Sequence, residues 1–242
     1  MPRSHNAKRI SYKSEDEKEY DRLGFVVAHD HFLRPKTIAR MHRIRRVAAI
    51  LFAEGGLNGI SLQDVARAGK IAPASMHYYF GKRERLLHDI LVHHMQALDK
   101  IAELTWATFH ERDMEEAWLY NLTLEFLRVL TSTERAGHRV LIHTLHTLPQ
   151  LEFNDIDHRL FNIRRGFAMA MGPLAGLMID DPQLQGLIRS YLAMVGHTAI
   201  WFPATETPLV AAPELEAHAH LLTRMANEGL RALRETTTQA AA

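Results

Sequence analysis

The chain has 242 residues, 47% hydrophobic and 24% charged, with a net charge of +1, 16 histidines and no cysteine. That composition excludes wholesale disorder and allows one large or two modest domains, while the lack of thiols excludes a disulfide framework, thiolate metal sites and a cysteine nucleophile. The charge is uneven: between residues 32 and 88 eleven Lys and Arg meet three acids, so this stretch carries +8 and the remainder −7, the pattern of a polyanion-binding head on a neutral-to-acidic body.

Apolar residues recur at helical spacing almost throughout and no stretch alternates with period two, so the chain reads as all-α with about nine helices. Residues 1–36 form an extension, with a basic arm (Arg3, Lys8, Arg9, Lys13) and a short helix starting at Ser14 with capping-box spacing. A first helix over 37–54 places Ile44, Val47, Ala48, Leu51 and Phe52 on one face and stops at Gly55 and Gly56. Ser61 caps a helix over 62–68, Gly69 is expected to supply the permissive backbone of a tight turn, and Pro73 suits the first turn of a helix over 73–79. A long helix follows over 83–109, then helices over 113–131 and 133–148, and one over 155–179 kinked at Gly172 and Pro173. The last two run over 182–202 and 213–234, separated by a proline-rich loop and followed by a fraying tail at 236–242. The longest uncharged apolar stretch, 166–179, is too short for a membrane span, and the charged N-terminus lacks an apolar signal core, so no membrane partner and a cytoplasmic location are expected.

A helix-turn-helix needs a support helix, a capped short helix, a tight turn, and a second helix whose outward residues are small or polar enough to enter a major groove. Residues 44–83 supply these parts in order. LFAEGG at 51–56, SLQDVA at 61–66, Gly69 and above all SMHYYFGKRERL at 75–86 resemble the TetR family of transcriptional regulators. The resemblance implies a three-helix DNA-binding head at 37–83, a following helix that acts as a connecting lever, and a body at 84–235 that binds a small ligand and dimerises through its last two helices. Two departures stand out: Ala72 where the family usually has a capping Ser or Thr, and Lys82-Arg83 where it usually has Ser or Asn before Lys.

The implied DNA-facing set is Arg45, Ser61, Pro73, Ala74, Ser75, His77, Tyr78, Tyr79, Lys82 and Arg83, with Met76 and Phe80 as core anchors of the head. Tyr78, Tyr79 and Arg83 are expected at phosphates; Ser75 and His77 at bases. The expected partner is double-stranded, near-palindromic operator DNA, bound by a homodimer.

Histidine pairs invite a metal reading, but only His143 and His146 share a helical face at usable spacing, with no Cys and no nearby Asp or Glu ligand on that helix, so neither metal nor cofactor is expected. Both imidazoles are instead assigned to an effector pocket with Trp106, Tyr120, Phe167, Met171 and His197, to which Met169, Met178 and Met194 lend adaptable surface. That mixture suits an apolar small molecule with one polar end. Leu215, Ala219, Leu222, Ala226, Gly229 and Leu233 recur at spacings of four and three and are expected to form the dimer seam. A helical enzyme or small-molecule carrier is the alternative reading, but no nucleophile motif, phosphate loop or zinc-protease helix is present to support it.

Overall fold

In the computed structural model, residues 35–108, 115–132, 134–147, 153–200 and 212–241 are described. They form nine α-helices and no strand: α1 Pro35–Gly55, α2 Leu62–Ala68, α3 Pro73–Tyr79, α4 Arg83–Thr108, α5 Glu115–Leu130, α6 Arg135–Thr144, α7 Asn154–Ala175, α8 Pro182–His197 and α9 Ala212–Ala241. The basic arm, the short helix expected from Ser14, the loop at 203–211 and the side chain of Trp106 lie outside the described residues. The chain divides into two compact units, 1–41 and 42–242; the described part of the first is the start of α1, and the remaining helices belong to the second.

Glycine and proline set most of the helix ends. Gly56, at φ 71°, stops α1, and its N–H reaches back to the Phe52 carbonyl at 3.1 Å. The expected kink in α7 is replaced by an early end. Pro173 sits inside the last turn, Gly176 takes φ 68°, and the Leu177 N–H donates to the Gly172 carbonyl at 3.0 Å, so a Schellman-type closure stops the helix at Ala175. A Cβ on Gly172 would lie 2.9 Å from the Leu177 carbonyl oxygen, so the chain can fold back only over a residue without one. Asp181 caps α8 by accepting from the Gln183 and Leu184 N–H groups. A 3-10 turn, Thr198–Ile200, follows α8. No loose tail is found at 236–241: α9 continues to Ala241.

The core of the body lies where α5 meets α9 and α4, and where α8 meets α7 and α9. Leu119, Leu122, Phe126, Leu127, Phe167, Met171, Ile188, Tyr191, Leu222 and Ala226 are buried there. A chain of hydroxyls crosses this apolar centre: Thr123 donates to the Leu119 carbonyl and meets the Tyr191 hydroxyl, while Thr223 donates to Thr123 at 3.3 Å. Burial pushes the Tyr191 phenol above its ordinary range, so it stays a neutral hydrogen-bonding group. α4 is the spine of the unit, since its buried residues run from Leu86 and Ile90 at the head end to Leu98 and Ile101 within the body.

Candidate nucleic-acid interface and body cavity

Ser61 caps α2 in a full capping box: its hydroxyl accepts from the Asp64 N–H at 3.2 Å, and the Asp64 carboxylate accepts from the Ser61 N–H at 3.0 Å. The Ser61 hydroxyl also donates to Asp64 at 2.6 Å, and this bond is the main cause holding the Asp64 carboxyl below its ordinary range. The turn departs from expectation. Gly69 keeps an ordinary right-handed backbone at φ −75°, and the left-handed residue is Lys70 at φ 51°. Gly69 is needed for space instead, because a Cβ there would lie 2.9 Å from Ile71 Cδ1 and 3.1 Å from the Val65 carbonyl oxygen.

α3 starts at Ala72 with no side-chain cap and with Pro73 in its first turn. Met76 and Phe80 are buried and tie it to the head, as expected. Pro73, Ala74, His77 and Lys82 are exposed, Ser75 and Tyr79 are half-buried, and Tyr78 is 83% exposed with its ring edge-on to Tyr79 at 5.2 Å. An aromatic residue left that open, beside small and polar neighbours, gives α3 an outward face with the size and hydrogen-bonding groups to enter a groove. Lys70, exposed in the turn just before α3, adds a cation the sequence reading passed over.

Three residues of the expected DNA-facing set have other work. Arg45 is only 4% exposed and is held by Asp89 of α4, with Nε donating at 2.6 Å and Nη2 at 3.2 Å, so it braces α1 against α4 from inside. Arg83 donates through Nη1 to the Leu57 carbonyl at 2.9 Å and through Nε and Nη2 to Glu84, so it ties the α1–α2 loop to the start of α4. Ser61 spends its hydroxyl proton inside the cap. The sequence shows a cation or hydroxyl near the head but not which internal acceptor reaches it first.

In the body, a cavity of about 300 Å³ opens between α4, α5, α6, α7 and α8. Leu98, Phe126, Leu130, Leu141, Ile163 and Val195 give it apolar walls, and Arg164, Arg189 and His197, all exposed, stand at its rim. His138 of α6 is the buried polar group of the lining. Its Nδ1 is 3.0 Å from Nε2 of His94 on α4, whose Nδ1 lies 3.6 Å from the Glu134 carboxylate; His93 Nε2 lies 3.9 Å from the other Glu134 oxygen. Burial holds His138 well below its ordinary pKa and lowers His93 as well, against the pull of Glu134. No group of three or more potential ligands is arranged to hold a metal among the described residues.

Of the pocket residues expected from sequence, His197 lines this cavity and the others with described side chains do not. Phe167 and Met171 are solid core, with Phe167 packed edge-on against Phe126 at 5.9 Å. His143 and His146 are exposed and face a different groove, of about 460 Å³, formed with Phe52, Leu57, Asn58 and Arg83, because α6 buries Val140, Leu141 and Thr144 on its inner side. Tyr120 stacks on His220 at 4.1 Å in an outer groove between α5 and α9. Met169 and Met178 are exposed, so they do not line an interior. His138, Arg164 and Arg189 were missed: attention to histidines at metal spacing passed over a lone one, and exposed arginines carry no positional signal in sequence.

The expected dimer seam is internal. Leu215, Ala219, Leu222 and Ala226 are buried within the one chain, where α9 packs on α5 and α8, and Leu233 is half-buried. Gly229 lies so close to α8 that a Cβ would be 2.6 Å from Leu187 Cδ1. On its outer side α9 instead exposes Leu221 and Met225, 44% and 47% open. α8 and α9 run antiparallel, with Thr198 hydrogen-bonded to His218 at one end and Leu187 against Gly229 at the other.

Residues 44–90 match the family profile described as bacterial regulatory proteins, tetR family. No curated protein matches the chain. Among solved structures, the ketosteroid transcriptional regulator KstR2 of Mycobacterium tuberculosis is similar, with a TM-score of 0.64 and 18% identity over 76% of this chain and 93% of that one. A TetR-family regulator from Bordetella parapertussis gives 0.62 and 22%, covering 76% and 93%. AibR, solved with isovaleryl coenzyme A and operator DNA, gives 0.56 and 20%, covering 77% and 97%.

Proposed function

We propose, from the match of residues 44–90 to the tetR-family profile and the likeness of the fold to solved TetR-family regulators, that this chain is a TetR-family helix-turn-helix transcriptional regulator and acts as a homodimeric repressor released from its operator by a small molecule held in the body. The observation that carries this reading is the outward face of α3 and the turn after it, where His77, Tyr78 and Lys82 stand open behind a capped α2 while Met76 and Phe80 fix the helix from within. Pro73, Ala74 and Ser75 enter the groove, Ser75 and His77 meet base edges, and Tyr78, Tyr79, Lys82 and Lys70 meet phosphates. Arg45 and Arg83 position this face without touching DNA.

The dimer forms through the outer sides of α8 and α9. Gly186, Ser190 and Ala193 leave α8 low on the side level with Leu221 and Met225 of α9, so a two-fold partner can bring its own apolar pair into close approach. Such a dimer sets the two α3 helices about 34–36 Å apart or at a multiple of it, and reads a near-palindromic site. Effector release follows from α4, which carries the head contact Asp89 and the cavity wall Leu98 on one helix. An occupant that fits one tilt of α4 better than another shifts the head by that difference in affinity. AibR, of the same fold, was solved with both an acyl-coenzyme A and operator DNA, in keeping with a body that takes a small molecule. Mobility shift on the DNA flanking the chain's own gene tests the reading: a retarded complex lost on His77→Ala and Lys82→Ala supports it, and no complex with any flanking fragment overturns it.

A further inference from the structure

The body cavity is apolar along its walls and cationic at its mouth. The walls come from five helices, and the lining residues Arg164 on α7, Arg189 on α8 and His197 are exposed, which sets them at the rim. Arg159 of α7 and Arg231 of α9, by contrast, are paired to Asp99 at 2.5 Å and to Glu228 at 3.1 Å. Arg164 and Arg189 pair with no carboxylate among the described residues. Two guanidiniums held near one apolar opening repel each other and are satisfied together by one anion lying between them. His138, the polar group deeper in the lining, is kept neutral by burial, so it adds a hydrogen-bonding position and no charge. The positive field of the cavity therefore sits at its mouth.

From this arrangement we propose that the cavity binds a short-chain amphiphilic anion, with its hydrocarbon part against Leu98, Phe126, Leu130 and Ile163 and its carboxylate or phosphate between Arg164 and Arg189. A volume of about 300 Å³ lies at the small end of the range for small-molecule pockets, which favours a chain of modest length over a polycyclic ligand. The walls exclude water from the chain, and the rim leaves the charged end partly solvated, so the site avoids burying an unpaired anion. The charge at the rim also selects against a cationic amphiphile of the same shape, which would meet two like charges. The ligand class rests on the reading of the body as an effector domain only for its effect on DNA, and binding itself is measured without DNA.

The experiment titrates the full chain with octanoate, octyl phosphate, octanamide and octylamine, following heat by calorimetry and the melting temperature in parallel. The expected result is binding of at least one anion, with the uncharged amide weaker by about tenfold to a hundredfold, the loss expected for charge-assisted hydrogen bonds, and no binding of the amine. The tighter of the two anions identifies the headgroup. Arg164→Met with Arg189→Met should bring the anion down to the level of the amide while leaving the ligand-free melting temperature unchanged, because both side chains are exposed and unpaired. Equal binding of amide and anion, undiminished discrimination in the double variant, or binding of none of the four overturns the proposal. Mobility shift with the same proteins then reads DNA release separately, so a cavity that binds anions while DNA binding fails counts against the regulator reading and not against the ligand class.

Discussion

Arg45→Met should destabilise the chain by about 2–3 kcal/mol, because it strips Asp89 of both donors in a half-buried place. Chemical denaturation of the free protein measures this loss. Lys82→Ala, by contrast, removes an exposed cation beside α3. It should leave the melting temperature unchanged, weaken binding to all DNA sequences alike, and reduce the slope of log affinity against log salt by about one. A fall in stability with an unchanged salt slope would exchange the roles of the two residues. The histidines carry their own signature. Burial favours neutral His93 and His138 in the folded chain, whereas the unfolded chain protonates them near about pH 6.5. Their contribution to stability is present above that pH and is lost as the pH falls below it, by up to about 1.4 kcal/mol per pH unit for each ring. Urea midpoints taken from pH 8 to pH 5 should therefore fall, and His138→Gln should make the fall shallower by about one proton.

At the scale of single helices, α9 shows how much of the molecule can be read in advance. It carries two apolar stripes, one through Leu215, Ala219, Leu222 and Ala226 and one through Leu221 and Met225. Helical spacing identifies a face but does not say whether the neighbour on that face is the same chain or a second copy. The first stripe turned out to meet α5 and α8. Leu222→Glu should accordingly unfold the body, while Leu221→Glu with Met225→Glu should give a folded protein that sediments as a monomer. A folded monomeric Leu222→Glu protein would return the seam to that stripe. The head was legible because its signals are local: the Ser61 cap, the Pro73 start, and the burial of Met76 and Phe80 all act within a few residues. The cavity was not, since its lining comes from five helices and its walls are the ordinary core residues of each. The end of α7 falls between these cases, because Gly172 and Pro173 were recognised as a break while Gly176, which makes the closure, was not. Gly172→Ala should cost about 1–3 kcal/mol by pressing a methyl group against the Leu177 carbonyl, read as a drop in melting temperature.

Across the whole molecule, α4 meets α1 through Asp89, α7 through Asp99 and α6 through His94, so one helix of 26 residues is pinned at successive levels from the head into the body. The His94–His138 contact is the pin nearest the cavity. A neutral imidazole has one nitrogen that bears hydrogen and one that does not, and rings that meet nitrogen to nitrogen must agree on which of them gives. If His138 gives from Nδ1, its Nε2 is a bare lone pair beside Gly196; if His94 gives from Nε2, His138 shows an N–H there instead, and His94 turns a lone pair toward Glu134. The tautomers of the two rings are thus one variable with two values, written at the cavity wall by His138 and legible 3.6 Å from His94 at the Glu134 carboxylate, which starts α6 one turn before His138. Nitrogen chemical shifts of the two imidazoles, recorded before and after the cavity is filled, would show that variable changing sign while the backbone stays still.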